Sequence, residues 1–370
     1  MQRRILIGCY EVPGYGGAST MAYRLFQMMQ NKGYEVIFLN LINELDYEYF
    51  QFTFGQNVGN PKNLLNVHNY IIKGKLFKEH KELSNLINSL AVDTIIGIGY
   101  IATNLLKTAC SSKKLIYLTT GCVQIKHYLN KYKNMDSIAF ETKIDNAELK
   151  PIIYNKEERK AVKLSDLVVT HSPLILKYYN FFFSEFSGKI YQDVIWLVDY
   201  IYNDAMEYSN YSKVFSDREI DVLFVSSLWD RKEKNFQLVE DIVNECSELN
   251  IHIIGECSKK LPGARHHGLV GSRNELFEIM GNSKTFISTS KFDPAPGVLF
   301  EASALGCNII ASKNSGNWMI CDEELIVNQN KSSLIIDKIY KSLKFKFKDN
   351  MNYFFEQKSF QKFLEILEFI

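Results

Sequence analysis

Two carboxylates eight positions apart, Asp293 and Glu301, flank a turn that contains two prolines and a glycine. Pro296 can occupy the first position of a helix, where its missing N–H costs nothing. Gly297 allows a ligand to approach the backbone closely, and the amides of Gly297 and Val298 lie where a helix start attracts anions such as phosphate. The pattern therefore predicts a site for a phosphorylated ligand that also carries hydroxyl groups, which describes a sugar nucleotide.

Length and composition limit the kind of protein that this chain can be. At 370 residues it exceeds what one hydrophobic core usually supports, so we expect two domains. The formal net charge of +1 argues against a general nucleic-acid binder. Seven cysteines without a C-x-x-C pair indicate reduced core residues of a cytoplasmic protein. No apolar run reaches the ~20 residues that a membrane span needs, which predicts a soluble protein and leaves association with the inner face of the cell membrane open.

Short apolar runs alternate with amphipathic stretches, and this alternation gives the elements that must position the carboxylates. Helices are expected between the runs, among them 77–90, 235–249, 274–280 and 298–305. Buried strands are predicted at 5–9, 36–39, 94–98, 115–118, 167–170, 194–198, 221–225, 251–254, 284–288, 308–311 and 325–327.

A polar, tyrosine-rich stretch at 201–218 separates two copies of the same alternation, and we interpret it as a linker. The fold class is therefore α/β, with two Rossmann-like doubly wound domains that face a cleft. We place the domains at residues 1–205 and 206–350. A terminal helix at 351–370 packs either on its own domain or back on the N-terminal one.

The C-terminal half resembles the retaining, GT-B-fold glycosyltransferases of the group 1 type, which build bacterial surface polysaccharides from nucleotide sugars. The main mark of that family is a pair of glutamates separated by seven residues, and Asp293 and Glu301 stand at those positions here. A second mark is V-S-S-L-W-D-R-K-E-K-N-F, in which Ser226 and Ser227 replace the family's Gly-Arg. The glycine-containing P-G-Y-G-G-A-S-T near the N-terminus resembles the family's loop after the first strand.

The resemblance implies a role for each of these side chains. Glu301 would bind the ribose hydroxyls, and Asp293 the hydroxyls of the donor sugar. Arg231 and Lys234 would neutralise the departing diphosphate, with Ser227 and the amides of Gly297 and Val298 also on the donor side. A family enzyme needs no metal and no cofactor, because side chains supply the cations. Each charged residue also has a simpler interpretation: a solvated turn for the cations, and a helix-start carboxylate for Glu301.

The glycine-rich loop and the histidines are less specific signals. Gly16 and Gly17 would lie near the donor phosphates, although their spacing does not match a dinucleotide fingerprint. Thr-Thr-Gly at 119–121 stands where the family often has a histidine, so His127 is a candidate catalytic residue in its place, and His171 ends a predicted strand nearby. The pair at 266–267 is expected on a surface strand rather than at a metal.

Aromatic residues at 178–183 have two interpretations. Core packing is one. The other is an interfacial helix that, with Lys126, Lys131 and Lys133, holds the protein at a membrane carrying a lipid-linked acceptor.

These observations lead to a retaining glycosyltransferase that moves a sugar from a nucleotide sugar to a saccharide or lipid-linked saccharide acceptor. The N-terminal domain would hold the acceptor. Two alternatives remain at this stage: a nucleotide-sugar epimerase of the same fold, and a non-catalytic subunit that binds sugar nucleotides or polysaccharide. An NAD-dependent oxidoreductase ranks third because the glycine spacing is wrong for it.

Overall fold

The computed structural model describes residues 3–10, 17–44, 66–73, 81–131, 135–191, 198–328, 331–356 and 358–369. The chain divides into two compact units. Unit 1 comprises Met1–Gln124, Pro151–Val194 and Glu365–Ile370. Unit 2 comprises Ile125–Lys150 and Ile195–Leu364.

Unit 1 is built on a seven-stranded parallel sheet of order β3-β2-β1-β4-β5-β6-β7. Apolar side chains fill the central strands because helices cover both faces of a doubly wound sheet. The strands are β1 (Arg4–Cys9), β2 (Glu35–Asn43), β3 (Val67–Ile72), β4 (Thr94–Ile98), β5 (Lys114–Leu118), β6 (Leu167–Val169) and β7 (Ile190–Tyr191).

The helices of unit 1 include amphipathic ones that bury an apolar face. In the first of them, Ala22, Leu25, Phe26 and Met29 are buried at the spacing expected of an amphipathic helix. They are α1 (Gly17–Asn31), α2 (Lys81–Ser89), α3 (Gly99–Ala109), α4 (Val123–Lys131, which begins here and continues into the residues of unit 2), α6 (Lys156–Leu164) and α7 (Pro173–Phe182).

Unit 2 repeats the architecture with a six-stranded parallel sheet of order β10-β9-β8-β11-β12-β13. Its strands are β8 (Ile220–Leu228), β9 (Ile251–Glu256), β10 (Ala264–Gly268), β11 (Ser283–Ser288), β12 (Asn308–Ser312) and β13 (Ile326–Val327). Its helices are α5 (Ser137–Asp145), α8 (Val198–Met206), α9 (Phe236–Glu245), α10 (Arg273–Gly281), α11 (Val298–Ala304), α12 (Ser332–Ser342), α13 (Met351–Glu356) and α14 (Ser359–Phe369), the last of which ends among residues of unit 1.

Two parallel sheets with helices confirm the α/β class and the pair of Rossmann-like units. The structure differs from the sequence prediction around residue 200, where Val198 begins α8 rather than ending a strand. The predicted linker therefore contains the end of a helix and two short 3-10 turns. Residues 194–197 lie outside the described residues.

The division of the chain also differs from a single boundary at residue 205. Residues 125–150 group with unit 2, because α5 and its flanking residues hydrogen-bond to the loops after β11 and β12. The terminal stretch forms two helices instead of one, of which Glu365–Ile370 groups with unit 1. There, Arg3 Nη1 donates to the carbonyl oxygen of Leu367 at 2.8 Å.

The aromatic stretch at 178–183 packs in the core of unit 1. Tyr178, Tyr179 and Phe183 are each 0% exposed, and Phe182 is 3% exposed. Burial removes the apolar face that an interfacial helix would need, so core packing is the correct interpretation of these residues. Among the described residues, no helix combines the length and apolar character needed to cross a bilayer.

Candidate functional site

The charged centre of unit 2 is an ion pair between Lys234 and Asp293. Lys234 Nζ lies 2.6 Å from Asp293 Oδ2, and the two side chains are 18% and 15% exposed. Lys234 ends the 3-10 turn Lys232–Lys234 that follows β8, and Asp293 follows β11. Both are therefore at the carboxyl edge of the sheet, where open α/β sheets bind ligands.

Local backbone geometry places Lys234 at this edge. Asn235 adopts a left-handed conformation with φ of 57°, which ends the turn and lets α9 start in a new direction. Asn235 Nδ2 donates to the carbonyl oxygen of Thr289 at 3.3 Å. In return, Thr289 Oγ1 donates to the carbonyl oxygen of Lys234 at 3.0 Å. These two bonds tie the lysine turn to the residue that follows β11.

The backbone of Asp293 is held from its other side by the loop after β12. Its N–H donates to the carbonyl oxygen of Asn314 at 3.0 Å, and its carbonyl oxygen accepts from Gly316 N at 2.8 Å. Asp293 consequently pairs with Ser315 as an isolated parallel bridge. The carboxylate thus has a fixed main chain although it lies in a loop.

Arg231 is exposed and belongs to the same turn as Lys234. Its Nε and Nη2 donate to Glu233 Oε1 at 3.0 and 2.6 Å, and Lys126 Nζ lies 3.7 Å from the same oxygen. Burial disfavours the charged form of Glu233, but the hydrogen bond and charge of Arg231 outweigh it and lower the pKa of Glu233. Two cations therefore share one carboxylate here, which leaves positive charge for an anionic ligand.

Glu301 lies on α11 beside a cation that the sequence did not indicate. Arg273 Nη2 is 3.8 Å from Glu301 Oε1 and also forms an ion pair with Asp204. The guanidinium lies 4.8 Å from the centroid of the Phe277 ring, one turn further along α10. No hydrogen bond or ion pair joins Glu301 to Lys234 or Asp293 among the described residues, so the two carboxylates have separate cationic partners.

The remaining predicted donor residues of unit 2 line the same sheet edge. Gly297 precedes α11 with helical dihedral angles, and a Cβ there would lie 3.3 Å from Ile201 Cδ1. Among the described residues, the amides of Gly297 and Val298 have no hydrogen-bond acceptor. Ser227 is exposed near the end of β8. All three can therefore reach a ligand.

The predicted residues of the N-terminal half divide between the two units. His127 is exposed on α4, in the part of the chain that groups with unit 2. His171 is in unit 1, with Nδ1 3.0 Å from Thr119 Oγ1. Gly17 is the exposed first residue of α1, and Gly16 lies outside the described residues.

Three histidines lie on β9 and β10 of unit 2, and two of them are in contact. His266 and His267 lie on β10, at the edge of the sheet as predicted, and His267 Nε2 is 3.0 Å from Nδ1 of the buried His252. Burial and the charge of His267 lower the pKa of His252 to about 4, so this pair is neutral at physiological pH. Within the described residues, no three metal-ligating side chains converge.

Unit 1 contains a buried carboxylate that sequence reasoning missed. Glu158 is 1% exposed and accepts hydrogen bonds from Val123 N, from the backbone and side chain of Gln124, and from Tyr179 Oη, at 2.9 to 3.2 Å. Tyr117 Oη lies 2.7 Å from Tyr179 Oη and extends the network. Burial raises the pKa of Glu158 to about 7 despite these donors. The first turn of α4 is therefore attached to α6 by this carboxylate.

Known proteins resemble this chain at two levels. Residues 219–344 match the family model described as Glycosyl transferases group 1. A search of curated proteins finds no match. Among solved structures, the fold is similar to that of the lipopolysaccharide outer core galactosyltransferase WaaB in its apo form, with a TM-score of 0.59 and 12% identity over 92% of this chain and 90% of that chain.

Two further structures have the same fold. HepE of Anabaena, in complex with UDP-glucose, has a TM-score of 0.60 and 12% identity over 92% of this chain and 90% of that chain. Sucrose-phosphate synthase from Thermosynechococcus elongatus has a TM-score of 0.59 and 11% identity over the same shares. At these identities the likeness shows the fold, which is that of GT-B proteins. The matched domain contains the ion pair, Arg231, Glu301 and Arg273, and domain and fold together identify a glycosyltransferase.

Proposed function

We propose that this glycosyltransferase transfers a sugar from a nucleotide sugar to a saccharide or lipid-linked saccharide, with retention of anomeric configuration. The observation that carries the proposal is the Lys234–Asp293 ion pair at the carboxyl edge of the group 1 domain. An anionic phosphate can engage Lys234 while sugar hydroxyls donate to Asp293, because both side chains are partly exposed.

A uridine diphosphate sugar is the donor that we propose. HepE, one of the structures with this fold, is in complex with UDP-glucose, and WaaB is a galactosyltransferase by name. Glu301 would accept hydrogen bonds from the ribose hydroxyls. The amides of Gly297 and Val298, which have no acceptor among the described residues, would bind the diphosphate.

The reaction breaks the bond between the anomeric carbon and the diphosphate oxygen of the donor, and negative charge then develops on the diphosphate. Lys234 and Arg231 neutralise that charge, so in this proposal the cations are side chains and transfer needs no metal ion. An oxygen of the leaving diphosphate accepts the proton of the acceptor hydroxyl. The new glycosidic bond forms on the face that the diphosphate leaves, which retains the configuration.

We place the activity in the cytoplasm, in the synthesis of cell-surface polysaccharide. The support is the name of WaaB, a lipopolysaccharide galactosyltransferase with the same fold. The acceptor would be bound by unit 1, since the charged residues of the donor site belong to unit 2.

The proposal is tested by removing Lys234 and comparing it with a matched lysine. Lys284 forms a similar ion pair with Asp221 in unit 2, at 2.9 Å and with side chains 22% and 20% exposed, near the amino ends of β11 and β8. Lys234→Ala should lower the rate of UDP release from UDP-glucose or UDP-galactose by about 100- to 1,000-fold. Lys284→Ala should leave the rate within about twofold of the wild type, because its pair is at the opposite edge of the sheet.

Two measurements separate the proposal from its alternatives. Glu301→Ala should weaken binding of UDP in calorimetry, since the ribose loses its acceptor. Incubation with donor alone should release UDP slowly and leave the unreacted donor unchanged, whereas an epimerase would convert it to its epimer. Full activity of both Lys234→Ala and Glu301→Ala, or binding of UDP without any turnover across a panel of acceptors, would contradict the assignment.

A further inference from the structure

Two segments far apart in sequence meet behind Asp293. Asn314, in the loop after β12, is 0% exposed, and its Oδ1 accepts from Ser137 Oγ at 2.8 Å and from Ile138 N at 2.9 Å. Its Nδ2 donates to Asp136 Oδ2 at 3.1 Å. Asn314 thus links two segments. Its side chain binds the first turn of α5, and its backbone carbonyl oxygen accepts from Asp293 N.

Asp136 has two separate tasks in this network. Its Oδ1 caps α5 by accepting from Ala139 N at 2.9 Å, while Oδ2 accepts from Asn314. Both carboxylate oxygens therefore have donors. An exchange of either side chain for one with a different pattern of donors and acceptors would leave a buried polar atom without a partner.

The same segment also reaches the other half of the ion pair. Ser137 N donates to the carbonyl oxygen of Lys291 at 2.9 Å, and Lys291 N donates to the carbonyl oxygen of Glu233 at 2.8 Å. Glu233 immediately precedes Lys234. The start of α5 is therefore linked through hydrogen bonds to the loop of Asp293 on one side and to the turn of Lys234 on the other.

We propose that Asn314 and Asp136 are positioning residues that fix the geometry of the Lys234–Asp293 ion pair for glycosyl transfer. The inference rests on the proposed function, since it assigns a role in that reaction. Neither residue needs to touch the donor. Their effect is on the position of the Asp293 backbone, and a shift of about 1 Å in a reacting geometry can cost up to about 100-fold in rate.

The chain allows a test by exchange of the two side chains. In Asn314→Asp, two carboxylate oxygens face each other at the 136–314 contact, and in Asp136→Asn two amide donors do so. In the double variant, the amide introduced at position 136 can donate to the carboxylate introduced at position 314, and its oxygen still caps α5 by accepting from Ala139 N. The introduced carboxylate still accepts from Ser137 and Ile138. All four hydrogen bonds of the native arrangement are then restored with their direction reversed at one contact.

We expect each single variant to lower kcat for UDP release from UDP-glucose by about 10- to 100-fold, with KM changed by less than about threefold. The exchanged double variant should return kcat to within about threefold of the wild type. Thermal melting shows that each variant is folded at the assay temperature. If either single variant keeps the wild-type kcat, or if the double variant recovers its melting temperature but not its kcat, the proposal is overturned.

Asn308 provides the matched control. It is a second buried asparagine of unit 2, with Nδ2 donating to the carbonyl oxygens of Ser342 and Phe345 and Oδ1 accepting from Phe347 N, but it begins β12 instead of following it. Asn308→Ala and Asn314→Ala should both lower the melting temperature, and only Asn314→Ala should lower kcat. An equal loss of kcat in both would make the role of Asn314 purely structural and overturn the proposal.

Combining Asn314→Asp with Asp293→Asn tests whether Asn314 acts on the reaction through Asp293. If Asn314 acts through Asp293, adding Asn314→Asp to Asp293→Asn should lower kcat by less than about twofold further, whereas additive losses would overturn the proposal. Failure of the proposed function gives another pattern: Lys234→Ala would then release UDP as fast as the wild type. Failure of this inference alone shows as a slow Lys234→Ala together with a fast Asn314→Asp.

Discussion

The carboxyl edges of the two sheets treat charge in opposite ways. In unit 2, Lys234, Asp293 and Glu301 are partly exposed and paired with cations or anions that a ligand can replace. In unit 1, the carboxylate of Glu158 is almost fully buried and is satisfied by four protein donors. The charged side chains of unit 2 are therefore available to a ligand, whereas the buried carboxylate of unit 1 attaches the first turn of α4 to α6.

This difference follows from the cost of burying charge. A carboxylate in the interior persists only when hydrogen bonds replace its hydration, and those partners then occupy every position from which a ligand could bind. The Lys234–Asp293 pair instead keeps part of each side chain exposed, so its lysine can change partner from carboxylate to phosphate. The edge of unit 2 is thus suited to an anionic ligand and the Glu158 network is suited to structure.

The largest effect that tests this comparison should come from neutralising Asp293. Asp293→Asn keeps the shape of the side chain but removes the charge that orients Lys234, so we expect the rate of UDP release to fall by about 100-fold or more. Initial-rate measurements with UDP-glucose would check this. Asp221→Asn, which neutralises the ion pair with Lys284 at the amino edge, is the control and should leave the rate unchanged.

If Asp221→Asn slowed UDP release as much as Asp293→Asn, charge anywhere in unit 2 would matter equally. The distinction between a ligand-binding edge and a structural network would then be lost.

Sequence reasoning reached the residues of this edge whose spacing is local. Asp293 and Glu301 lie eight positions apart on either side of one turn, so a local pattern marks them, and the resemblance of the segment after β8 to the family's motif indicated Lys234. Asp136 and Asn314 are separated by 178 positions, and Arg273 meets Glu301 from a different helix. No local pattern marks such contacts, because they exist only once the sheet has brought its loops together.

The wrong prediction near residue 200 has a different cause. The predicted linker begins at residue 201, inside the helix Val198–Met206, and a short stretch of mixed polarity fits either a linker or part of a helix. In α8, Val198, Ile201 and Ala205 are buried on one face. That spacing spans the end of the predicted strand and the start of the predicted linker, so dividing the sequence between them hid the helix.

The buried carboxylate of unit 1 should make stability depend on pH. Burial raises the pKa of Glu158 to about 7, above the value of 4.5 for an exposed glutamate. Between these values the native state holds the proton and the unfolded chain releases it, so the free energy of unfolding falls as pH rises from about 4.5 to 7. At 1.4 kcal/mol per unit, the loss is on the order of 3 kcal/mol.

Glu158→Gln removes this titration, so its free energy of unfolding should depend less on pH than that of the wild type, whatever its absolute stability. Denaturant melts at pH 5, 6, 7 and 8 measure the difference. Glu185→Gln neutralises an exposed glutamate of the same unit, and its free energy of unfolding should change with pH as that of the wild type does. If the free energies of unfolding of Glu158→Gln and the wild type changed equally with pH, Glu158 would be ionised throughout this range.

The smallest effect concerns the polar pair at the carboxyl edge of unit 1. Thr119 is 0% exposed, and its hydroxyl is 3.0 Å from His171 Nδ1. Thr119→Val keeps the shape and removes this hydrogen bond, so the free energy of unfolding should fall by about 1 kcal/mol. The rate at which the donor is hydrolysed to UDP without an acceptor should not change, because the charges that act on the leaving diphosphate belong to unit 2. If folded Thr119→Val released UDP more slowly than the wild type, this edge of unit 1 would take part in donor chemistry as well. The division of charge between the two sheets would then no longer hold.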